Sequence, residues 1–386
     1  MLDTFDKTQD VRQGDGSEAN PYRSADGTAG IQEELSALSE RGGILNLKSA
    51  RYDIERPIVI DSSSLCLDGG IWACNTDPNG VFESKNGTKL RLCGKSFPAL
   101  RVGVNTDPIS GAIIRNLGIQ GDISGMDTRH LVNFNQPTHS AGLSLDGTRC
   151  DQCAFTKLSL CGLANGVSAS GSAEIDACIF ENINTDGCGN GFWFSPRASY
   201  YARVRACIMA DNPYYGFYLG ANGKNIHNLE ILDCHFVRNG GAFTDSDGMP
   251  PAAVFFDNVS RCAITQCIFD DPGTFWFYDE NATENSERQP SHRKTPALRI
   301  IGNENRIRDN TFLNSSDDSA TIVGDGNILI GNVCDGNVRI RGRNNVVSTL
   351  VFTKPTSRLI LEADACDSTV ILGVEPHRIV KADQAL

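Results

Sequence analysis

The chain lacks the segments that would mark it as a membrane or secreted protein. It has no stretch of about 18 consecutive apolar residues, the least that crosses a bilayer as a helix. Residues 1–6 have neither the basic nor the apolar part of a secretory signal peptide. We therefore expect no membrane association and a cytoplasmic location.

Positive charge is also scarce. There are 35 Lys and Arg residues against 47 Asp and Glu residues, giving a net charge of −12 and an isoelectric point of about 5.0. A nucleic-acid backbone would be repelled by this charge, so we expect no nucleic-acid partner. The same balance argues against a strongly anionic polysaccharide, unless a local basic patch or a bound cation intervenes.

Signatures of cofactor binding are missing as well. No glycine-rich phosphate loop joins a strand to a helix, and no nucleophile elbow is present. The 14 cysteines raise the alternative of zinc, but Cys188 and Cys207 lack a partner at CxxC spacing, and Cys150 with Cys153 forms a single pair. We expect reduced thiols, which are typical of the cytoplasm, with no metal and no cofactor.

The sequence does contain a repeat. Five cysteines share one local frame, at successive separations of 25, 29, 27 and 33 residues: Cys153, Cys178, Cys207, Cys234 and Cys267. Asn310 and Asn332 continue the series with Asn in place of Cys. A period of this length is typical of a solenoid, in which each coil buries its inward side chains only against neighbouring coils. We expect the thiols to stack as an interior column.

The N-terminal part predicts a helix that feeds short strands. Residues 28–41 place Ile31, Leu35 and Leu38 on one stripe, with Thr28 as the cap and two glycines as the stop. Such a helix can cover the open apolar end of the first coil. The predicted divisions are an N-terminal extension (1–27), a capping helix (28–43), the solenoid (44–374) and a C-terminal tail (375–386).

This region resembles the N-terminal segment of right-handed parallel β-helix proteins of the pectate-lyase-like superfamily. The resemblance lies in residues 26–32, 42–47, 52–58 and 67–70. It implies an all-β fold, a right-handed parallel β-helix with an N-terminal capping α-helix. The superfamily includes polysaccharide lyases, polygalacturonase-like and inulin-lyase-like enzymes, epimerases and phage tailspikes, so the fold fixes no reaction. Inulin-lyase-like fructotransferases are trimeric and use no metal, which implies a homotrimer.

Three insertions interrupt the repeat, at residues 122–140, 240–251 and 270–296. All three follow a Cys-type strand, so they should leave one edge of the solenoid and form a wall beside a sheet. Strand alternation places one outward column next to this wall: Ser144, Ser168, Trp193, Tyr218, Phe255 and Arg299. The sequence therefore predicts a groove on one side.

The aromatic members of this column predict a sugar-binding platform. Trp193, Tyr218 and Phe255 would form an exposed strip on which sugar rings can pack. Packing beneath the insertions, or in a subunit interface, is the alternative. The remaining candidate substrate-binding residues are Arg197, Tyr214, Tyr215, His235 and Arg299.

Carboxylates gather beside the same column. Glycoside cleavage generally uses two carboxyl groups, one protonated and one ionised, and crowding of acids raises one pKa. The candidate catalytic residues are Asp186, Asp211, Asp257, Asp270 and Asp271. The alternative for each of them is a turn-capping role.

Residues 184–187, Asn-Thr-Asp-Gly, resemble the first motif of polygalacturonase-type glycosidases, which implies that Asp186 belongs to the catalytic set. The next coil departs from that pattern because a single aspartate, Asp211, stands where the family has a pair. The Gly-His-Gly and Arg-x-Lys motifs of that family are also absent from the sequence.

We therefore predict an enzyme that cleaves glycosidic bonds of neutral oligosaccharides, of the glycoside hydrolase or fructotransferase type. One alternative is a uronate polysaccharide lyase or epimerase, for which arginines would neutralise the substrate carboxylate. Another is a non-catalytic, tailspike-like carbohydrate-binding protein.

Overall fold

The computed structural model describes residues 13–17, 19–72, 87–93, 97–103, 107–121, 140–145, 149–220, 225–240, 252–277, 289–292, 295–315, 318–366 and 369–381. The chain divides into two compact units, the first ending at Arg197 and the second beginning at Ala198. Within each unit, successive coils stack through parallel strand pairs, and the fold is a right-handed parallel β-helix.

The first unit opens with a helix, α1 (Ile31–Leu38), whose Ile31, Leu35 and Leu38 are buried. The helix is shorter than the predicted 28–41. Gly30 occupies the cap position with a φ of 74°, in the left-handed region that favours glycine. The Thr28 hydroxyl oxygen, two residues earlier, accepts the Gln32 backbone N–H of the first turn at 3.4 Å. Asp26 instead accepts the Thr28 backbone N–H at 3.0 Å, which orders the turn before the helix.

The first unit contains short strands throughout. They are β1 (Gly43–Asn46), β2 (Arg51–Ile54), β3 (Ile58–Ile60), β4 (Leu65–Asp68), β5 (Lys89–Leu92), β6 (Pro98–Val102), β7 (Ile109–Ser110), β8 (Ile113–Gln120), β9 (Ala141–Leu145), β10 (Arg149–Asp151), β11 (Ala154–Cys161), β12 (Asn165–Ser170), β13 (Glu174–Asp176), β14 (Ile179–Asp186) and β15 (Asn190–Ser195).

These strands form three faces. The flat face contains β3, β6, β9, β12 and β15. The short face contains β7, β10 and β13. The bent face contains β1, β4, β8, β11 and β14, with β2 and β5 beside the second half of β8. Every one of these pairs is parallel, as the predicted repeat requires.

The second unit repeats this plan. Its strands are β16 (Ala198–Tyr200), β17 (Arg203–Arg205), β18 (Ile208–Ala210), β19 (Tyr215–Gly220), β20 (Asn225–His227), β21 (Glu230–Leu232), β22 (His235–Val237), β23 (Val254–Asp257), β24 (Ala263–Thr265), β25 (Ile268–Asp270), β26 (Thr274–Phe277), β27 (Gln289–His292), β28 (Leu298–Ile301), β29 (Arg306–Arg308), β30 (Thr311–Leu313), β31 (Asp318–Val323), β32 (Ile328–Ile330), β33 (Val333–Cys334), β34 (Asn337–Arg341), β35 (Val346–Ser348), β36 (Val351–Phe352), β37 (Leu359–Leu361), β38 (Val370–Leu372) and β39 (Ile379–Lys381). Two short 3-10 helices cover Ala363–Ala365 and Pro376–Arg378.

The flat face of this unit runs through β19, β23, β28, β31, β34, β37 and β39. The short face contains β16 and β20. The bent face has two arms: β17, β21, β24, β29, β32, β35 and β38 form the first, and β18, β22, β25, β30, β33 and β36 form the second.

The predicted insertions fall between the bent and flat faces. Residues 122–139 and 241–251 lie outside the described residues. Part of the third insertion is an antiparallel hairpin of β26 and β27. An isolated antiparallel bridge also joins Gln13 and Arg23.

The interior confirms the predicted column of thiols within each unit. Cys153 and Cys178 are buried in the first unit, and Cys207, Cys234 and Cys267 are buried in the second, each exposed by 2% or less. None of the described cysteines forms a disulfide. A residue with positive φ precedes each cysteine, with Ala177 at 50° and Ala206 at 52° as examples. This left-handed bend turns the chain and sends the next side chain inward.

Asparagine continues the column as predicted. The Oδ1 atom of Asn310 accepts the Cys267 backbone N–H at 2.9 Å, and its Nδ2 donates to Asn332 Oδ1 at 3.0 Å. Phe236, Phe269 and Phe312 stack behind it with ring centroids 5.0 and 4.6 Å apart. Within the described ranges, no helix is long and apolar enough to cross a membrane.

Candidate functional site

The outward side of the flat face carries most of the predicted binding residues. In the first unit, strand register aligns Ser144, Ser168 and Trp193 in one column. In the second unit, it aligns Tyr218, Phe255 and Arg299. The alternation read from the sequence therefore gives the same columns as the structure, each within its own unit.

The aromatic strip is not open to solvent in the second unit. Tyr218 is 8% exposed and Phe255 is 7% exposed, so the expectation of an exposed platform is wrong for these two residues. The physical reason is mutual packing: the Tyr218 ring lies 5.3 Å from Tyr215 and 5.8 Å from Phe255, measured between centroids. Trp193, in the first unit, is half-buried.

A phenol and a carboxylate meet in this cluster. The Tyr218 hydroxyl donates a hydrogen bond to Asp257 Oδ2 at 2.9 Å. Burial, and then the charge of Asp257, raise the pKa of Tyr218. Tyr218 is therefore protonated at neutral pH, and Asp257 is the carboxylate placed to accept its proton.

Gly220 makes room for this contact. It is the register partner of Asp257 on the adjacent coil. A Cβ atom on Gly220 would lie 2.4 Å from the Tyr218 hydroxyl oxygen, a distance at which atoms cannot coexist. The absence of a side chain at this position thus allows Tyr218 to reach across to Asp257.

Two further predicted residues are buried in the same unit. The guanidinium carbon of Arg299 lies 4.8 Å from the centre of the Phe255 ring, and Arg299 is buried. This is the geometry of a cation–π contact, and it brings a positive charge to the cluster. Tyr214 is buried too, and burial raises its pKa.

The other predicted acids of the second unit have structural partners. Asp211 accepts two hydrogen bonds from the Arg238 guanidinium, at 2.7 and 2.6 Å. Asp271 accepts from the Thr274 hydroxyl at 2.7 Å and has a φ of 52°, which is the geometry of a turn residue. In the described part of the chain, neither of these acids shares a hydrogen-bond partner with Asp257. Asp270 accepts from Asn314 Nδ2 at 2.8 Å.

The remaining predicted residues lie elsewhere. Asp186 ends β14 in the first unit, where its register partner is Cys161, and it is half-buried. Arg197, also in the first unit, forms an ion pair with Glu174. His235 begins β22 on the bent face, and its Nε2 atom is buried without a partner in the described part of the chain.

Several residues of this region were not identified from the sequence. Gly220 follows Tyr218 by two residues on the same strand side, and a glycine next to a large outward aromatic was the available signal. The Arg238 partner of Asp211 was not foreseeable from local sequence, because it comes from the next coil. In the described residues, no group of three or more His, Cys, Asp or Glu side chains is arranged to hold a metal ion.

Comparison with known proteins identifies the fold. A DFA-IIIase from Arthrobacter chlorophenolicus, solved without its lid, is 14% identical with a TM-score of 0.59, covering 93% of each chain. The A-module of a mannuronan C-5 epimerase from Azotobacter vinelandii is 12% identical with a TM-score of 0.51, covering 95% of each chain. A protein of Geobacillus virus E2 is 16% identical with a TM-score of 0.51, and the match covers 95% of this chain but 58% of the viral chain.

These similarities establish a fold and no activity, because the identities are low. No family model matches the sequence, and no curated protein matches it.

Proposed function

We propose that this protein is a carbohydrate-active enzyme that cleaves glycosidic bonds at the Tyr218–Asp257 pair. The observation that carries the proposal is the 2.9 Å hydrogen bond between a buried phenol and a carboxylate, inside an aromatic cluster that also holds Arg299. Aromatic surface with a few convergent polar groups is typical of saccharide sites. The names of two similar structures, a DFA-IIIase and a mannuronan epimerase, support a saccharide substrate.

The distance within the pair favours one division of roles. Two groups that flank a glycosidic bond stand about 5–10 Å apart, so that the sugar or a water molecule fits between them. Tyr218 and Asp257 are in direct contact, which suits a nucleophile and its base. The phenol oxygen would attack the anomeric carbon while its proton passes to Asp257, and the glycosidic C–O bond would break as the leaving oxygen takes a proton from water. A water molecule, deprotonated by Asp257, would then release the sugar from Tyr218 and return the proton to the phenol. A tyrosine nucleophile is a known exception among glycosidases that otherwise use two carboxylates.

Of the predicted catalytic acids, Asp257 keeps a catalytic role in this proposal, whereas Asp211 and Asp271 have structural roles. Arg238 neutralises the Asp211 carboxylate, and Thr274 engages the Asp271 carboxylate. Asp186, in the first unit, remains a proposed catalytic carboxylate.

A uronate lyase or epimerase is the second candidate, and Arg299 is the observation that favours it. A buried guanidinium over the Phe255 ring could neutralise a uronate carboxylate and so acidify the neighbouring carbon-bound proton. Elimination would leave product masses that sum to the substrate mass, whereas hydrolysis would add one water.

The test is a screen of fructan and uronate oligosaccharides with product analysis by mass, using wild type, Tyr218→Phe and Asp257→Asn. We expect each substitution to lower kcat/KM by about 100-fold or more while folding is retained. Tyr200→Phe, at a half-buried tyrosine of the short face, serves as the control and should keep full activity. Binding of a saccharide without any turnover, unchanged by either substitution, would support a non-catalytic binding protein and overturn the proposal.

We also propose a homotrimer in the cytoplasm. Support for self-association comes from three exposed apolar side chains in one register column on the second arm of the bent face, Ile208, Ile268 and Val351. His235, Thr311 and Val333 lie between them in that column. A column of reduced, buried thiols suits a reducing compartment.

A further inference from the structure

A row of arginines extends along the flat face of the second unit, away from the Tyr218–Asp257 pair. Strand register continues the outward column of Tyr218 and Phe255 through Arg299 and Thr321 to Arg339. The neighbouring column, which contains Asp257, continues to Arg341. At about 4.8 Å per coil, the four steps from Tyr218 to Arg339 span roughly 19 Å. That length accommodates an oligosaccharide of several units.

The two distal arginines have donors to offer. Arg339 uses its Nε to donate to Asp318 Oδ2 at 2.6 Å, and its terminal amino groups have no partner among the described residues. Arg341 is exposed and makes no ion pair in the described part of the chain. A guanidinium held at Nε presents its remaining N–H groups in a fixed fork, which matches the two oxygens of a carboxylate.

A β-bulge builds this arrangement. Register shifts between Asp318 and Ala320, so that Ser319 is an extra residue in β31. The buried Ser319 hydroxyl oxygen accepts the Gly336 backbone N–H at 2.9 Å, which fixes the bulge. The bulge coincides with the residue that orients Arg339, and bulges commonly redirect side chains beside functional sites.

The charge of this row is opposite to that of the molecule. The chain carries a net charge of −12, yet Arg299, Arg339 and Arg341 share one face. Two acids of that face are engaged, Asp318 by Arg339 and Asp257 by the Tyr218 hydroxyl. Neutral sugars need hydroxyl partners and aromatic surface, whereas a row of guanidinium groups is suited to repeated negative charges.

We propose that Arg339 and Arg341 bind carboxylate groups of an acidic oligosaccharide that extends from the Tyr218–Asp257 pair. This inference rests on the proposed function and names its substrate class: a uronate-containing saccharide rather than the neutral one that overall charge suggests. The row of Arg299, Arg339 and Arg341 supplies the local basic patch that an anionic substrate requires.

The test measures binding of a mannuronate tetramer and of a neutral fructan tetramer by titration calorimetry, with mass analysis of each probe afterwards. We expect the acidic tetramer to bind more tightly, and its affinity to fall as salt rises. Arg339→Gln and Arg341→Gln should each raise its Kd by up to about fivefold, the upper range of one exposed ion pair, and leave the Kd of the neutral tetramer unchanged.

Arg261→Gln is the matched control, because Arg261 is an exposed arginine that pairs with Glu304 away from the flat face. It should leave both Kd values unchanged, and thermal unfolding should show that all variants remain folded. Tighter binding of the neutral tetramer would overturn the inference. So would a Kd of the acidic tetramer that neither Arg339→Gln nor Arg341→Gln changes. In that case activity lost in Tyr218→Phe would still uphold the proposed function, so the two failures are distinguishable.

Discussion

At the scale of single residues, the candidate site depends on a side chain that is missing. Tyr218 can donate to Asp257 because Gly220, between them on the same outward side, leaves space for the ring. The hydrogen bond joins residues 39 positions apart, which stacked coils bring to adjacent strands. Gly220 is thus a positioning residue rather than a catalytic one.

Gly220→Ala tests that role. The new Cβ would displace the Tyr218 ring and break its bond to Asp257, so we expect kcat to fall about 100-fold with a smaller change in KM. In a Tyr218→Phe background the same substitution should add little to the loss, because the contact it disrupts is already absent. Full additivity of the two losses would contradict a shared role.

The same pair predicts a pH effect on stability. Burial and Asp257 raise the pKa of Tyr218, so the folded chain holds the phenol proton more tightly than the unfolded chain does. This contribution is complete below about pH 10, the unfolded value, and is lost as pH rises above it. In ultraviolet titration, Tyr218→Phe should have one fewer tyrosine that ionises only with alkaline unfolding than wild type has, and Tyr214 should be among those that remain.

At the scale of elements, the repeated inward position holds the coils together. Cysteine fills it in earlier coils and asparagine in later ones, always after a residue with positive φ. The asparagine amide satisfies backbone groups that face the interior, whereas the thiols fill space and bond weakly. The repeat in the sequence was visible because this position tolerates few residue types.

Asn310→Ala should destabilise the protein by about 2–4 kcal/mol. Its removal leaves the Cys267 N–H and the Ile264 carbonyl unsatisfied in the interior. Asn310→Cys, which restores the thiol of the preceding coil, should cost less, and Asn303→Ala at an exposed turn should cost under about 1 kcal/mol. Denaturant unfolding checks the order, and equal losses for all three would contradict the ladder's role.

At the scale of the whole molecule, self-association is the property that the surface predicts. On the second arm of the bent face, Ile208, Ile268 and Val351 share one register column and are exposed by 43%, 41% and 53%. His235, Thr311 and Val333 lie between them in that column. Large apolar side chains left exposed in one column are a candidate contact between copies of the chain.

Light scattering on wild type should therefore give the mass of a trimer. Ile268→Asp should shift the mass towards the monomer by placing a charge in the contact. Ile71→Asp, at an exposed isoleucine of the first unit, should leave the assembly intact. A monomeric wild type would rule out the homotrimer.

The sequence by itself determined the solenoid, because spacing of buried cysteines, strand alternation and turn residues are local properties that recur in every coil. It also determined which residues share the outward columns of each unit, because residues at equivalent positions of successive repeats lie side by side when the coils stack in register. Only the tertiary structure decided which side chains of the site are exposed, which of them pair with one another, and where positive charge collects. The burial of Tyr218, the neutralisation of Asp211 by Arg238 and the bulge beside Arg339 each depend on contacts between coils, and neighbours along the chain do not encode those contacts.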